Sequence, residues 1–134
     1  GTVRIGDFGL SKMTITHLAD TIVGTPYFMA PEINQGTQYS FSSDVWSLGV
    51  IVYYMCTNKM PFIGDSVLEL EKKKNAGVYD IKAMAGFSGG LVDLVTQMLH
   101  IDPTKRPTAE EILGFSCVRE TVTILRRQIS TRRQ

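Results

Sequence analysis

GTPYFMAPE, at residues 24–32, closes a long loop and is the stretch that decides the fold of this chain. Upstream, DFG at residues 7–9 is separated by Gly6 alone from TVRI at residues 2–5, a β-branched run that predicts a short strand. Downstream, SDVWSLG at residues 43–49 opens an apolar segment, and DPTKRPT occupies residues 102–108. We find no competing fold in which all four motifs would occur in this order by accident.

The first half of the chain predicts one long loop followed by two helices. Residues 7–32 carry glycines, prolines and threonines without periodicity, and ordered loops of this length are usually functional. Pro31 suits the first turn of a short helix that ends near Gly36. Residues 42–44 offer N-cap oxygens for a helix through Cys56, which is apolar nearly all round and is therefore expected to be buried on most sides.

The second half predicts further helices, so the fold class is mainly α. Residues 65–77 form a candidate helix whose lysine run at 72–74 predicts a solvated face. Residues 88–100 show an amphipathic pattern behind a cap. Thr108, followed three residues later by Glu111, predicts a capping box at the start of a last short helix.

Composition excludes some classes of protein. The chain has 134 residues, 43% hydrophobic and 20% charged, as in soluble globular domains. The sequence contains no apolar run of 18 residues, so it predicts no membrane span, and no signal peptide is visible. Cys56 and Cys117 lie far apart without partners at metal-ligand spacing, which favours buried thiols of an intracellular, cytoplasmic or nuclear protein.

The C-terminal segment, residues 119–134, is basic, with five arginines and one acidic residue. Such a segment could contact membrane phosphates or nucleic acid. A solvated, partly disordered terminus is the simpler interpretation, and we predict no nucleic-acid partner.

Together the four motifs resemble the eukaryotic protein kinase family, over residues 1 to about 118. The resemblance implies a partial kinase fold, with a helical C-lobe, one short strand, a long activation loop and a basic tail at 119–134. VGTPYFMAPE at 23–32 and MCTNKMPF at 55–62 look most like NIMA-related (Nek) kinases. Calcium/calmodulin-dependent, Aurora and Polo kinases have similar sequences in these two stretches.

The resemblance implies a nucleotide-site role for each residue of the DFG motif. Asp7 would coordinate the Mg²⁺ that bridges the phosphates of ATP, because a hard cation prefers carboxylate oxygens. Phe8 would pack into the core and report the active or inactive state, and Gly9 would allow a backbone conformation that larger residues avoid. Without the other motifs, Asp7 would be only a turn residue at a strand end.

Residues 10–29 would be the activation loop and the loop that docks the protein substrate. Gly24 and Thr25 resemble Ser/Thr kinases, in which the Thr hydroxyl meets the catalytic aspartate and lysine; a simple turn hydroxyl is the alternative. Thr21 matches the activating phosphorylation position of Nek-like loops, with Thr14 and Thr16 as weaker candidates.

Four residues have structural roles by the same resemblance. Asp44 resembles the buried aspartate at a helix start that holds the catalytic loop, although a local N-cap is compatible with this role. Trp46 is predicted to lie in the core. Glu32 and Arg106 are expected to form a buried ion pair; in the alternative, Arg106 caps nearby carbonyls and Glu32 faces water.

The resemblance implies transfer of the ATP γ-phosphate to protein Ser or Thr hydroxyls by the parent kinase, with Mg²⁺. The sequence contains no Gly-x-Gly-x-x-Gly and no His-Arg-Asp, so the N-lobe is absent from it and this chain alone is expected to bind nucleotide weakly and to be inactive. The apolar helix would be partly uncovered, which predicts self-association. A pseudokinase-type binding scaffold and a non-functional gene remnant remain the alternatives.

Overall fold

The computed structural model describes residues 26–36, 39–119 and 123, and this part of the chain is helical. The predicted strand at residues 2–5 lies outside the described residues. The elements with defined bounds are helices α1 (Pro31–Asn34), α2 (Phe41–Thr57), α3 (Val67–Ala76), α4 (Gly89–Met98) and α5 (Ala109–Gly114), with 3₁₀ turns at Ile81–Met84 and Pro103–Lys105.

Helix α2 begins earlier than the sequence predicts. Its N-cap is Ser40, whose extended backbone (φ −136°, ψ 167°) leads into the helix and whose N–H donates to Ser43 Oγ at 3.4 Å. The predicted cap at residues 42–44 is therefore wrong, and Ser43 is the third helical residue instead. At the other end, Asn58 adopts a left-handed conformation with φ 54°. Its N–H bonds to the Tyr54 carbonyl at 2.7 Å, which closes the helix.

One face of α2 forms the centre of the hydrophobic core. Trp46, Val50 and Tyr53 are buried there, packed with Val95 of α4 and Leu99 just beyond it. The Trp46 and Phe62 rings stack with centroids 5.4 Å apart. These contacts join the middle of the chain to its C-terminal third.

Gly49 lets α2 and α4 approach closely. A Cβ atom at this position would lie 2.8 Å from Met98 Cβ and 3.1 Å from Leu99 Cδ2. Neither contact can be relieved cheaply, because Met98 and Leu99 are themselves buried. The glycine of the SDVWSLG motif is thus required by helix packing.

The opposite face of α2 is exposed although it is apolar. This surface, the α2 outer face, consists of Leu48, Ile51, Tyr54 and Met55, with exposed fractions of 43%, 42%, 44% and 75%. The prediction that α2 is buried on most sides is therefore wrong. The reason is that the described helices pack against one side of it only. The predicted uncovered apolar patch is present.

The remaining helices follow their capping signals. Ser66 caps α3 by accepting from the Glu69 N–H at 3.2 Å, and Gly77 ends it with φ +64°. Thr108 and Glu111 form the predicted capping box of α5. None of the described helices combines the length and the apolar character that crossing a bilayer requires.

Candidate functional site

The part of the candidate site that the structure describes is the segment of residues 26–36, which we call the docking segment. Asp7, Phe8, Gly9, Thr21 and Thr25 lie outside the described residues. The geometry therefore concerns how the docking segment is attached to the helices behind it.

Glu32 and Arg106 form the ion pair that the sequence predicts, 74 positions apart. Arg106 Nη1 donates to Glu32 Oε1 at 2.6 Å, and Nη2 donates to Oε2 at 2.8 Å. The exposed fractions of the two side chains are 0% for Arg106 and 10% for Glu32. The two parallel bonds match the guanidinium fork to the carboxylate, so the pair is bidentate and almost dry.

Arg106 has every one of its N–H donors bonded. A guanidinium offers five donors, and the two that bind Glu32 leave three others. These three reach the backbone carbonyls of His100 at 2.8 Å, Ser42 at 3.0 Å and Ile101 at 3.1 Å. The guanidinium carbon also lies 5.0 Å from the centre of the Trp46 ring. Arg106 therefore both holds Glu32 and caps carbonyls, two roles that the sequence analysis treats as alternatives.

Glu32 is stabilised in its charged form. It lies in the first turn of α1, and Ser43 Oγ donates to its Oε1 at 3.0 Å. Burial raises the pKa of the Glu32 carboxyl, but the hydrogen bonds from Arg106 and Ser43 and the Arg106 charge outweigh it, so the net pKa lies below its ordinary value. The docking segment thus carries, at Glu32, a carboxylate that stays ionised at neutral pH.

A second attachment comes from Ser47 of α2. Its hydroxyl donates to the Phe28 carbonyl at 2.8 Å and also lies 3.2 Å from the Ser43 carbonyl one turn back. The sequence motifs predict no function for Ser47. Its place directly after the buried Trp46 is the only feature of the sequence that indicates a contact with the docking segment.

The third attachment is Lys74, which corrects the expected solvated lysine run. Lys74 is fully buried, whereas Lys73 is exposed and pairs with Glu69 at 2.8 Å. Lys74 Nζ donates to the Pro26 carbonyl and, at 2.8 Å, to the Met29 carbonyl. Lys74 lies four residues after the buried Leu70, so both point to the same side of α3. That spacing is a signal the sequence analysis missed.

Burial of Lys74 changes its protonation equilibrium. Desolvation lowers the pKa of its ammonium group from the ordinary value of 10.5 to about 8, against the opposing charge of Glu71 nearby. The group is therefore mostly protonated at neutral pH while bonded to two carbonyls of the docking segment.

The comparisons with known proteins agree with these motifs. The family profile described as protein kinase domain matches residues 1–116. The chain is 38% identical over 117 residues to the probable serine/threonine-protein kinase nek2 of Dictyostelium discoideum, covering 87% of the chain and 28% of that protein. It is 38% identical over 122 residues to mouse serine/threonine-protein kinase Nek2 (90% and 27%). It is 33% identical over 129 residues to the G2-specific protein kinase nimA of Emericella nidulans (96% and 18%).

The chain belongs to the protein kinase family. Its relatives are Nek and NimA serine/threonine kinases, so the Nek-like assignment made from the motifs is confirmed. The chain spans less than a third of the length of these relatives. The helices described above belong to the part of the kinase domain that follows the DFG motif.

The SDVWSLG motif contains two residues that were expected to be buried, Asp44 and Trp46, and only Trp46 is buried in the structure. Trp46 lies in the core, with its side chain fully buried. Asp44 is exposed, and its carboxylate accepts a hydrogen bond from the Tyr39 hydroxyl. The expected burial of Asp44 is therefore wrong for this chain.

Neither the free cysteines nor the described carboxylates form a metal site. Cys56 and Cys117 are partly buried, and burial raises the pKa of the Cys56 thiol. Within residues 26–36 and 39–119, no group of three or more His, Cys, Asp or Glu side chains lies close enough together to hold a metal ion.

Proposed function

We propose that this chain is part of a Ser/Thr protein kinase that transfers the γ-phosphate of ATP to Ser or Thr hydroxyls of protein substrates. In this proposal the docking segment binds the substrate protein. The observation that carries it is the attachment of that segment to the helices by the Glu32–Arg106 pair and by Lys74. A segment that must present a substrate in one geometry needs such rigid support.

The residues near the N-terminus supply the nucleotide side of the proposed reaction. Asp7 is the residue suited to hold Mg²⁺, with Phe8 packing beside it and Gly9 allowing the turn. The bound ion would neutralise negative charge on the ATP phosphates. Thr25 would orient the catalytic aspartate and lysine of the complete kinase through its hydroxyl.

The 134 residues alone are proposed to be inactive. Phosphoryl transfer depends on positioning and electrostatics, and the sequence carries no Gly-rich phosphate loop and no His-Arg-Asp segment. One carboxylate at Asp7 would also hold Mg²⁺ weakly, because this ion takes six oxygen ligands in an octahedral arrangement. Purified chain with ATP, Mg²⁺ and an acceptor protein should therefore incorporate no phosphate above background. Incorporation that disappears in Asp7→Asn would contradict this proposal.

The decisive experiment concerns the coding sequence upstream of Gly1. A strand lysine and a His-Arg-Asp segment within that sequence would favour the kinase, and the longer protein should then phosphorylate an acceptor protein in an Asp7-dependent manner. A longer protein that carries both motifs, folds, and still transfers no phosphate would refute the proposed activity.

A binding scaffold of the pseudokinase type is the second candidate. The α2 outer face favours it, because an apolar surface of this kind on a folded domain commonly marks a contact site. A degenerate upstream sequence, lacking the lysine and the His-Arg-Asp segment, would favour this candidate over the enzyme.

A further inference from the structure

Lys74 is a buried cation, and no carboxylate of residues 26–36 or 39–119 lies within salt-bridge distance of it. Its ammonium group bonds to two backbone carbonyls, those of Pro26 and Met29, and its side chain is fully buried. The lysines at 72 and 73 on the same helix are exposed. A helix that only had to pack against the docking segment would place an apolar side chain at position 74, as it does with Leu70.

The cost of this arrangement is considerable. Removing an ammonium group from water is unfavourable, and neutral carbonyl dipoles compensate a charge less well than a carboxylate does. The lowered pKa of Lys74 is the sign of that cost. Well-packed apolar residues in place of buried charges are often neutral or stabilising for the fold. Lys74 is therefore better explained by the geometry it imposes on its partners than by stability.

The two carbonyls bracket the docking segment before α1. Pro26 and Met29 are three residues apart, so a single ammonium group fixes the turn between them. Phe28, within that turn, is held from the other side by Ser47. The Glu32–Arg106 pair fixes the segment farther along, at the first turn of α1.

We infer that Lys74 is a positioning residue, which holds the Pro26–Met29 turn of the docking segment in the geometry that receives the protein substrate. The inference rests on the proposed function, which makes this segment the substrate-docking surface. Lys74 acts through the backbone of the segment and touches neither nucleotide nor transferred phosphate. Its loss should loosen the segment without unfolding the helices.

Amide hydrogen exchange of the 134-residue chain tests this directly. The reporter is the Ile33 amide, which donates at 3.1 Å to the carbonyl of Ala30, the residue directly after Met29. The core reporter is the Leu99 amide, bonded to Val95 at 2.9 Å. In Lys74→Met we expect exchange at the Ile33 amide to accelerate by about tenfold or more, the factor expected for one charge-assisted hydrogen bond, while Leu99 is unchanged.

Lys73→Met is the matched control, because it removes the same charge from the next residue of the same helix. Lys73 contacts Glu69, and its substitution should leave the Ile33 and Leu99 amides within about twofold of the parent rate. Unchanged exchange of the segment in Lys74→Met would overturn the inference. Equal acceleration at Leu99 and the segment would also overturn it, since Lys74 would then only support global stability.

Acetylation of the unsubstituted chain tests the Lys74 contact even if the Lys74→Met variant does not fold. Brief acetylation of the folded chain should modify the exposed Lys72 and Lys73 and leave Lys74 unmodified until denaturant is added, as read by peptide mass spectrometry. Equal modification of Lys74 would refute the contact itself.

Kinetics of the longer kinase supply the functional readout. Lys74→Met should raise KM for the protein substrate by about tenfold and leave KM for ATP unchanged, because a loosened docking segment weakens only substrate binding. Equal KM for protein substrate in the parent and the variant would overturn the positioning role. If the longer protein shows no transfer at all, the proposed function fails, and the exchange experiment still decides what Lys74 does to the segment.

Discussion

Breaking the Glu32–Arg106 pair in the variant Arg106→Leu should destabilise the chain by about 3–5 kcal/mol, the cost of leaving a buried charge unpaired. The structure supports the upper part of this range. Both side chains are nearly dry, with exposed fractions of 0% and 10%, so solvent screens the pair little. Leucine would also leave the carbonyls of Ser42, His100 and Ile101 without their donor.

Urea denaturation followed by far-ultraviolet circular dichroism measures this cost. The fluorescence of Trp46, the single tryptophan, gives a second signal, since the guanidinium lies 5.0 Å from its ring. Lys105→Leu is the matched control, because it removes the same charge from the adjacent, exposed position and should cost less than about 0.5 kcal/mol. In the double variant Glu32→Met with Arg106→Leu, the second substitution should cost much less than the first, as no buried charge remains.

The pH dependence gives a further check with a defined sign. In the parent chain the pKa of Glu32 lies below its ordinary value of 4.5, so its stabilising contribution is present above that value and is lost as pH falls through the folded pKa. In Arg106→Leu, burial without a partner raises the pKa of Glu32, so the variant gains stability as pH falls. The difference in unfolding free energy between the parent and Arg106→Leu should therefore become smaller as the pH falls from 7 to 4. A cost below about 1 kcal/mol at pH 7, or a difference independent of pH, would refute the reasoning.

Three other predictions concern Lys74, the α2 outer face and Thr21. Between pH 7 and 9 the unfolding free energy of the parent should rise by about 1 kcal/mol relative to that of Lys74→Met, because the pKa of Lys74 is 10.5 in the unfolded chain and about 8 in the folded chain; a difference that does not change with pH would contradict the burial of this charge. The chain should self-associate in analytical ultracentrifugation, and Met55→Lys, at the most exposed position of the face, should weaken this; a monodisperse parent would argue against it. Phosphate mapping of the active longer protein should find Thr21 modified, and consistent absence of modification would remove it as the regulatory site.

Motif order alone was enough to identify the family and to pair Glu32 with Arg106 across 74 positions. Capping chemistry is equally local, so the sequence also predicted the capping box that begins α5 and the end of α3 at Gly77. These features depend on residues within one turn of each other or on a known order of motifs. They can therefore be read without knowing which helices pack together.

Burial was decided only by the tertiary structure. Lys74 belongs to a run of three lysines that is polar in every local sense, yet the approach of α3 to the docking segment buries one of them and exposes its neighbours. Asp44 lies in a family motif that predicts burial, yet it is exposed and bonded to Tyr39. The apolar pattern of α2 cannot show which of its sides is covered, because hydrophobicity states only that burial of a side chain would be favourable. The packing of the other helices determines which of these side chains are in fact buried.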